Sequence, residues 1–107
     1  MVSRRFDVVL VNLDPTIGSE IQKTRPCLVV SPDEMNTALR TVIVAPLTTG
    51  GKRYPSRIPC RFAGASGFVA LDQLRSIDRV RIIRKLGRMS DATARAALTS
   101  LQLMFQE

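Results

Sequence analysis

The apolar residues of this chain come in short runs, each cut off by proline, glycine or a polar turn, and that brevity most narrows the folds open to it. Residues 6–13, "FDVVLVNL", are rich in β-formers and read as a first strand. "DPTIGSE" follows with Asp-Pro and glycine as turn signals. Residues 27–31 form a second strand, reached through Pro26 and stopped by Pro32, which has no N–H for a ladder. "DEMNTAL" is a turn or a single helical turn, and residues 41–47 are a buried strand with Pro46 marking a bulge or an edge. After the loop "TTGGKRYPS", residues 56–62 alternate as a half-exposed strand. "AGASG" is a turn, "FVALDQLRSID" holds one or two strands, and "RVRIIRKLGRM" alternates loosely up to a glycine.

Only the last segment keeps a helical period. Ser90 and Asp91 suit a helix N-terminus, and Ala94, Ala97, Leu98, Leu101, Met104 and Phe105 then recur every three or four residues as one core-facing stripe. About five to seven short strands and one terminal helix predict a mainly β fold, a small, bent antiparallel barrel packed by that helix. Residues 1–107 are expected to make one domain. Open strand edges and an apolar helix in so small a chain favour a homodimer.

Charge points to function. Sixteen basic residues, thirteen of them arginine, face nine acids, for a net +7. Arginine grips phosphate bidentately and stacks on bases, which favours nucleic acid or an acidic protein as partner. No apolar run approaches the roughly 20 residues that span a bilayer, and "MVSRRFD" has no apolar signal core, so a cytoplasmic protein without membrane contact is expected. Cys27 and Cys60 sit in strand-like runs and read as buried free thiols. Two cysteines and no histidine argue against a metal site, and no cofactor motif is present.

Polar residues gather on three loops. The first carries Asp14, Thr16, Ser19, Glu20, Gln22, Lys23 and Arg25; the second Thr48, Thr49, Lys52, Arg53 and Tyr54; the third Asp72, Gln73, Arg75 and Ser76. Each has a plain explanation taken alone. Arg25 could be a solvated loop charge, Thr48 a strand-end hydroxyl tied to backbone, Glu20 a surface partner of Lys23, and Asp72 and Gln73 turn residues.

Taken together they resemble a known family. "DVVLVNLDPTIGSEIQKTRPCLVVSP", "VIVAPLTTGGKRYPS" and "GFVALDQLRSIDR" resemble the signature of the MazF/PemK/Kid toxins, from about residue 6 to the terminal helix. D-P-T-x-G-S-E followed by R-P is the most demanding piece. Where the family usually carries Gly-Asp, this chain has Phe6-Asp7.

The resemblance implies a homodimeric SH3-like barrel that cuts single-stranded messenger RNA at short motifs without a metal, held in check by a MazE-like, acidic and partly disordered antitoxin. It sets the catalytic arginine on Arg25, the threonine on Thr48 and the acid on Glu20. Attack by the ribose 2′-OH would leave a 2′,3′-cyclic phosphate and a 5′-OH. Glu20 could take the 2′ proton, Arg25 hold the phosphorane charge and Thr48 donate to it. Asn12, Asp72, Gln73, Arg75 and Ser76 have donors and acceptors suited to base edges. Lys52, Arg53 and Arg81 suit phosphates and Tyr54 suits stacking, while Asp14, Thr16, Ser19, Gln22, Lys23 and Thr49 complete the RNA-binding set. Residues 18–24 are expected to be a loop over the RNA groove, disordered without ligand. Two rivals remain on the same barrel: a gyrase-poisoning toxin, and a catalytically inactive RNA-binding relative.

Overall fold

A long third strand organises the molecule, because it is the only one that must serve three partners. The structure is a computed structural model and describes residues 2–107. The strands are β1 (Asp7–Asn12), β2 (Thr24–Val29), β3 (Thr41–Thr48), β4 (Arg57–Phe62), β5 (Ala65–Ala70), β6 (Arg75–Asp78) and β7 (Ile82–Arg88). A short helix α1 (Asp33–Ala38) precedes β3, and the long helix α2 (Asp91–Met104) follows β7. One edge of β3 pairs with β2; the other pairs with β6 at residues 41–44 and with β5 at Leu47 and Thr48. The sheet therefore runs β4-β5-β3-β2-β1-β7, antiparallel in every pairing, with β6 beside β3.

The sheet curls like a barrel without closing, since β4 and β7 end the strand order unpaired with each other. The ring of Phe62 on β4 spans the seam to Gly87 on β7, where a Cβ would stand 3.3 Å from it. Two clusters fill the interior, one around Val8, Leu28, Val69 and Leu71, the other around Val9, Val11, Val29 and Val44. Adjacent residues of β1 and β2 divide between them, as the alternation of side chains along a strand demands.

Most strand expectations hold, with shifts at the ends. Pro26 lies inside β2, opposite Leu10 of β1. The segment 68–78 is two strands, split by a 3-10 turn at Leu71–Gln73. The β4–β5 turn is tight: Ala63 and Gly64 both take positive φ (52° and 80°), the pairing of a two-residue hairpin. On α2, Ser90 accepts the Thr93 N–H as N-cap, and Ala94 and Ala97 are buried. The apolar stripe stops early, however, because the helix ends at Met104; Met104 and Phe105 are 41% and 74% exposed and do not join the core.

Phe6 explains the departure from the family's glycine. Its φ is +73°, a region that glycine enters freely and other residues enter at a cost of about 1–2 kcal/mol. The ring packs against the first cluster, its N–H donates to Val29 O (2.8 Å) and its carbonyl accepts from Met89 N (2.9 Å), which offsets that cost.

Candidate active site

The site begins where a ladder fails. β2 and β3 pair at Val29–Val44, Leu28–Ala45 and Cys27–Pro46, and there the pairing stops. Pro26 and Pro46 have no N–H to carry it on, and β3 turns instead to β5. Carried two residues further, the same register sets Arg25 opposite Thr48. Opposed residues of antiparallel strands face the same side of the sheet. The wedge left between the parting strands is a cavity of about 320 Å³.

Arg25 and Thr48 both line that cavity, with Thr49 beside them, and both are half-buried. Arg25 Nε donates to Gln22 O (3.0 Å), which fixes the guanidinium plane. Among the described residues its two terminal nitrogens have no protein partner, so a fork of donors remains for an anion. The Thr48 hydroxyl makes only long contacts with the Gly50 backbone, at 3.4 and 3.5 Å. The backbone tie expected of a strand-end threonine is thus present but weak. Gly67 of β5 lies against this point so closely that a Cβ there would stand 2.2 Å from the Thr48 carbonyl oxygen. Only glycine lets β5 hold Thr48 where it is.

The remaining walls are mostly apolar: Leu47 of β3, Cys60, Phe62 and Leu86 of the open seam, and Ala63 and Ala65 of the hairpin, with Ser66 beside them. The sequence carries no sign of this role for Leu47, Phe62 and Leu86, which look like other apolar strand residues until β4 and β7 are seen to part. Cys60 is half-buried, not buried as expected. Burial pushes its thiol up, and pushes that of the fully buried Cys27 up to about 12 against the opposing pull of Arg75 and Arg25.

Glu20 lies elsewhere. With Asp72, Gln73 and Arg75 it lines a second cavity, of about 410 Å³, which reaches β3 at Pro46, just before the residues of the first. Its Oε1 accepts the Ile17 N–H at 2.6 Å, so its carboxylate serves its own loop and not Lys23. The loop is held rather than loose: Ile21 N donates to Gln73 Oε1 (3.2 Å), Gln73 Nε2 to Ser19 O (3.5 Å), and Leu13 N to Lys23 O (3.0 Å).

Most other candidates are also engaged within the protein. Asp14 accepts from Lys23 N (3.0 Å) and Thr16 Oγ1 (3.4 Å), and Asn12 Oδ1 accepts from Asp14 N (3.1 Å). Arg81 donates to the carbonyls of Asn12 and Asp14, at 3.2 and 2.6 Å, and Arg75 to Leu13 O at 3.1 Å. Asp72 holds Arg57 through two contacts of 2.6 and 2.9 Å and accepts from Ser56; this keeps its carboxyl below the usual carboxylate range. The Tyr54 ring sits 5.7 Å from the Arg57 guanidinium and lines a groove against α2, away from Arg25. Lys52, Arg53 and Ser76 are exposed. Among the described residues no group of three or more His, Cys, Asp or Glu side chains is arranged to hold a metal. No helix among the described residues is long and apolar enough to cross a membrane.

Comparison with known proteins shows the family and the fold. Residues 4–105 match the model of the family described as PemK-like, MazF-like toxin of type II toxin-antitoxin system. Endoribonuclease toxin ChpB of Escherichia coli K12 is 36% identical over 95% of this chain and 93% of its own length. Endoribonuclease PemK of Escherichia coli is 44% identical over 64% of this chain; the matched stretch spans 45% of PemK. The crystal structure of MazF from Deinococcus radiodurans superposes with a TM-score of 0.86 at 28% identity, over 97% of this chain and 96% of that one. The same organism's MazE–MazF crystal structure (Form-II) gives 0.79 at 25% identity, over 100% and 99%.

Proposed function

The chain belongs to the PemK-like, MazF-like endoribonuclease toxins of type II toxin–antitoxin systems, and from that premise we propose how it cuts single-stranded RNA, messenger RNA above all, at short motifs and without a metal. The scissile phosphate sits across the mouth between β2 and β3. The terminal nitrogens of Arg25 hold its non-bridging oxygens, and the Thr48 hydroxyl donates one further hydrogen bond. The neighbouring ribose 2′-OH attacks phosphorus; the 2′-O–P bond forms as the P–O5′ bond breaks. The 2′ proton leaves to a base and O5′ gains a proton, giving a 2′,3′-cyclic phosphate and a 5′-OH. Arginine, with a pKa above ~12, stabilises charge and is not the base.

Glu20 acts as that base when bound RNA releases loop 18–24 from Gln73 and brings the carboxylate from the second cavity to the mouth. Oε1 is engaged by Ile17, so Oε2 is the oxygen that takes the proton. Residues 1–107 act as one toxin domain, as a homodimer in the cytoplasm. An acidic MazE-like antitoxin complements the +7 charge of the chain.

The observation that carries this reading is that Arg25 and Thr48 line one cavity, with the guanidinium fork unengaged among the described residues. The test is incubation with single-stranded RNA in EDTA, followed by analysis of the new ends. Cyclic phosphate and 5′-OH ends are expected, with cleavage down ~10³-fold in Arg25→Ala and ~10²-fold in Thr48→Val, the loss of placed oxyanion donors. RNA that stays intact, or cleavage untouched by either substitution, overturns the reading. A ~10²-fold loss in Glu20→Gln assigns the base; a loss under about 3-fold leaves that proton to water.

A further inference from the structure

We propose that the apolar chamber behind Arg25 and Thr48 is a nucleobase subsite, in which one base flanking the scissile phosphate lies against Phe62; this rests on the reading of Arg25 and Thr48 as the phosphate grip. The cavity is continuous. Arg25 and Thr48 line it together with the apolar side chains of Leu47, Cys60, Phe62 and Leu86, and with Ser66. Its apolar walls offer a phosphate nothing and offer the face of a heterocycle a great deal. Its volume of about 320 Å³ is at the small end of ligand pockets, the scale of one ring system and not of an oligonucleotide. Among the described residues no carboxylate lines it, so the phosphate beside the base meets no like charge there.

The seam between β4 and β7 is what makes the chamber. A closed ladder there would fill it with backbone; the parted strands leave the Phe62 ring as its wall. Gly87 leaves room for that ring: a Cβ there would stand 3.3 Å from it and force it to shift. Recognition of unstacked RNA relies on such aromatic faces. Tyr54, the residue the sequence favoured for stacking, lies in another groove, against Arg57 and α2. Phe62 is the aromatic side chain that shares a cavity with Arg25.

The test couples protein and RNA. Wild type and Phe62→Leu are compared on an RNA cut by the wild type and on copies made abasic at each nucleotide flanking the cleaved bond. For the wild type, one abasic position lowers kcat/KM roughly 10- to 100-fold, the scale of a base–aromatic stack. In Phe62→Leu the intact RNA loses activity and the abasic penalty at that position shrinks by a comparable factor. An equal penalty in both proteins overturns the subsite.

A second readout needs no substitution. A 2′-deoxy analogue, which binds but cannot react, slows alkylation of Cys60 in the wild type, and its abasic counterpart does not. Equal alkylation with and without the base also overturns the proposal. Its failure is distinct from failure of the nuclease reading, which shows as a wild type that cuts no RNA or an Arg25→Ala variant that still cuts.

Discussion

On one side of Pro46, Arg25 keeps both terminal nitrogens without a protein partner; on the other, Gln73, Arg75 and Arg81 are closed onto backbone groups of residues 12–21. Both neighbourhoods are rich in donors, and their duties are opposite. Residues 13–23 form no regular ladder of their own, so their peptide groups need partners from elsewhere. The turn after β5, the strand β6 and the turn that follows it supply them. Arg25 and Thr48 stand on strand ends whose backbone groups are already placed by β1 and β5, so their side chains stay free for a ligand. Polar content therefore does not mark a site; polar content left over after the backbone is satisfied does.

The sharpest way to break this contrast is to disturb the strand end that presents Thr48. Gly67→Ala puts a Cβ 2.2 Å from the Thr48 carbonyl oxygen and 3.3 Å from Thr49 Cα, both backbone atoms that cannot swing aside. β5 must move off β3, taking Thr48 with it. Cleavage is expected to fall ~10²-fold, the scale of an ångström's misplacement at a reacting centre, and the melting temperature to drop by several degrees. A folded Gly67→Ala protein with undiminished cleavage would mean that Thr48 needs no fixed position.

A smaller effect is expected across Pro46. Gln73→Ala removes the acceptor of Ile21 N–H and the donor to Ser19 O, leaving a half-buried donor unpaired at a cost of about 1 kcal/mol. Hydrogen exchange at residues 17–22 should quicken and KM for RNA rise about 3- to 10-fold, with kcat close to the wild type. A collapse of kcat like that of Arg25→Ala would place Gln73 with the mouth and erase the distinction.

The two neighbourhoods also differ in how far the sequence disclosed them. Strand number was legible because Pro32, the glycines and the Asp-Pro turn cut the apolar runs where the chain turns. Arg25 and Thr48 were legible through family motifs, and their meeting has a local cause in Pro26 and Pro46. Strand partners were not legible, because alternation tells which face a residue takes and not which strand lies beside it. That is why neither Phe62 nor Leu86 stood out in the sequence, since their cavity exists only because β4 and β7 do not pair. The contacts that Asn12, Asp14, Gln73 and Arg81 make within the protein were not legible either, because a polar side chain in the sequence carries no sign of the backbone group it meets after folding. The end of α2 was overextended for a similar reason: the stripe runs on through Met104 and Phe105, but the sheet beneath it does not.

The mildest probe is the Arg57–Asp72 pair, which on this view holds the β4 start to the turn after β5 and handles no RNA. Arg57 holds the Asp72 carboxyl below its usual range, so the folded pKa lies under the unfolded value of about 3.9. A depressed folded pKa stabilises the protein above the unfolded pKa, and the benefit is lost as pH falls through the folded one. The melting temperature of the wild type should therefore lose this contribution only below about pH 4. Asp72→Asn should lower stability at pH 7 by no more than about 1 kcal/mol, since Asp72 is partly solvated, and should flatten the acid limb. Its cleavage at pH 7 should stay within about 2-fold of wild type, because the ion pair touches neither Arg25 nor the chamber behind it. A loss of two orders of magnitude, with the fold intact, would return Asp72 to the RNA-binding set and show that a side chain closed onto its own protein can still serve a ligand.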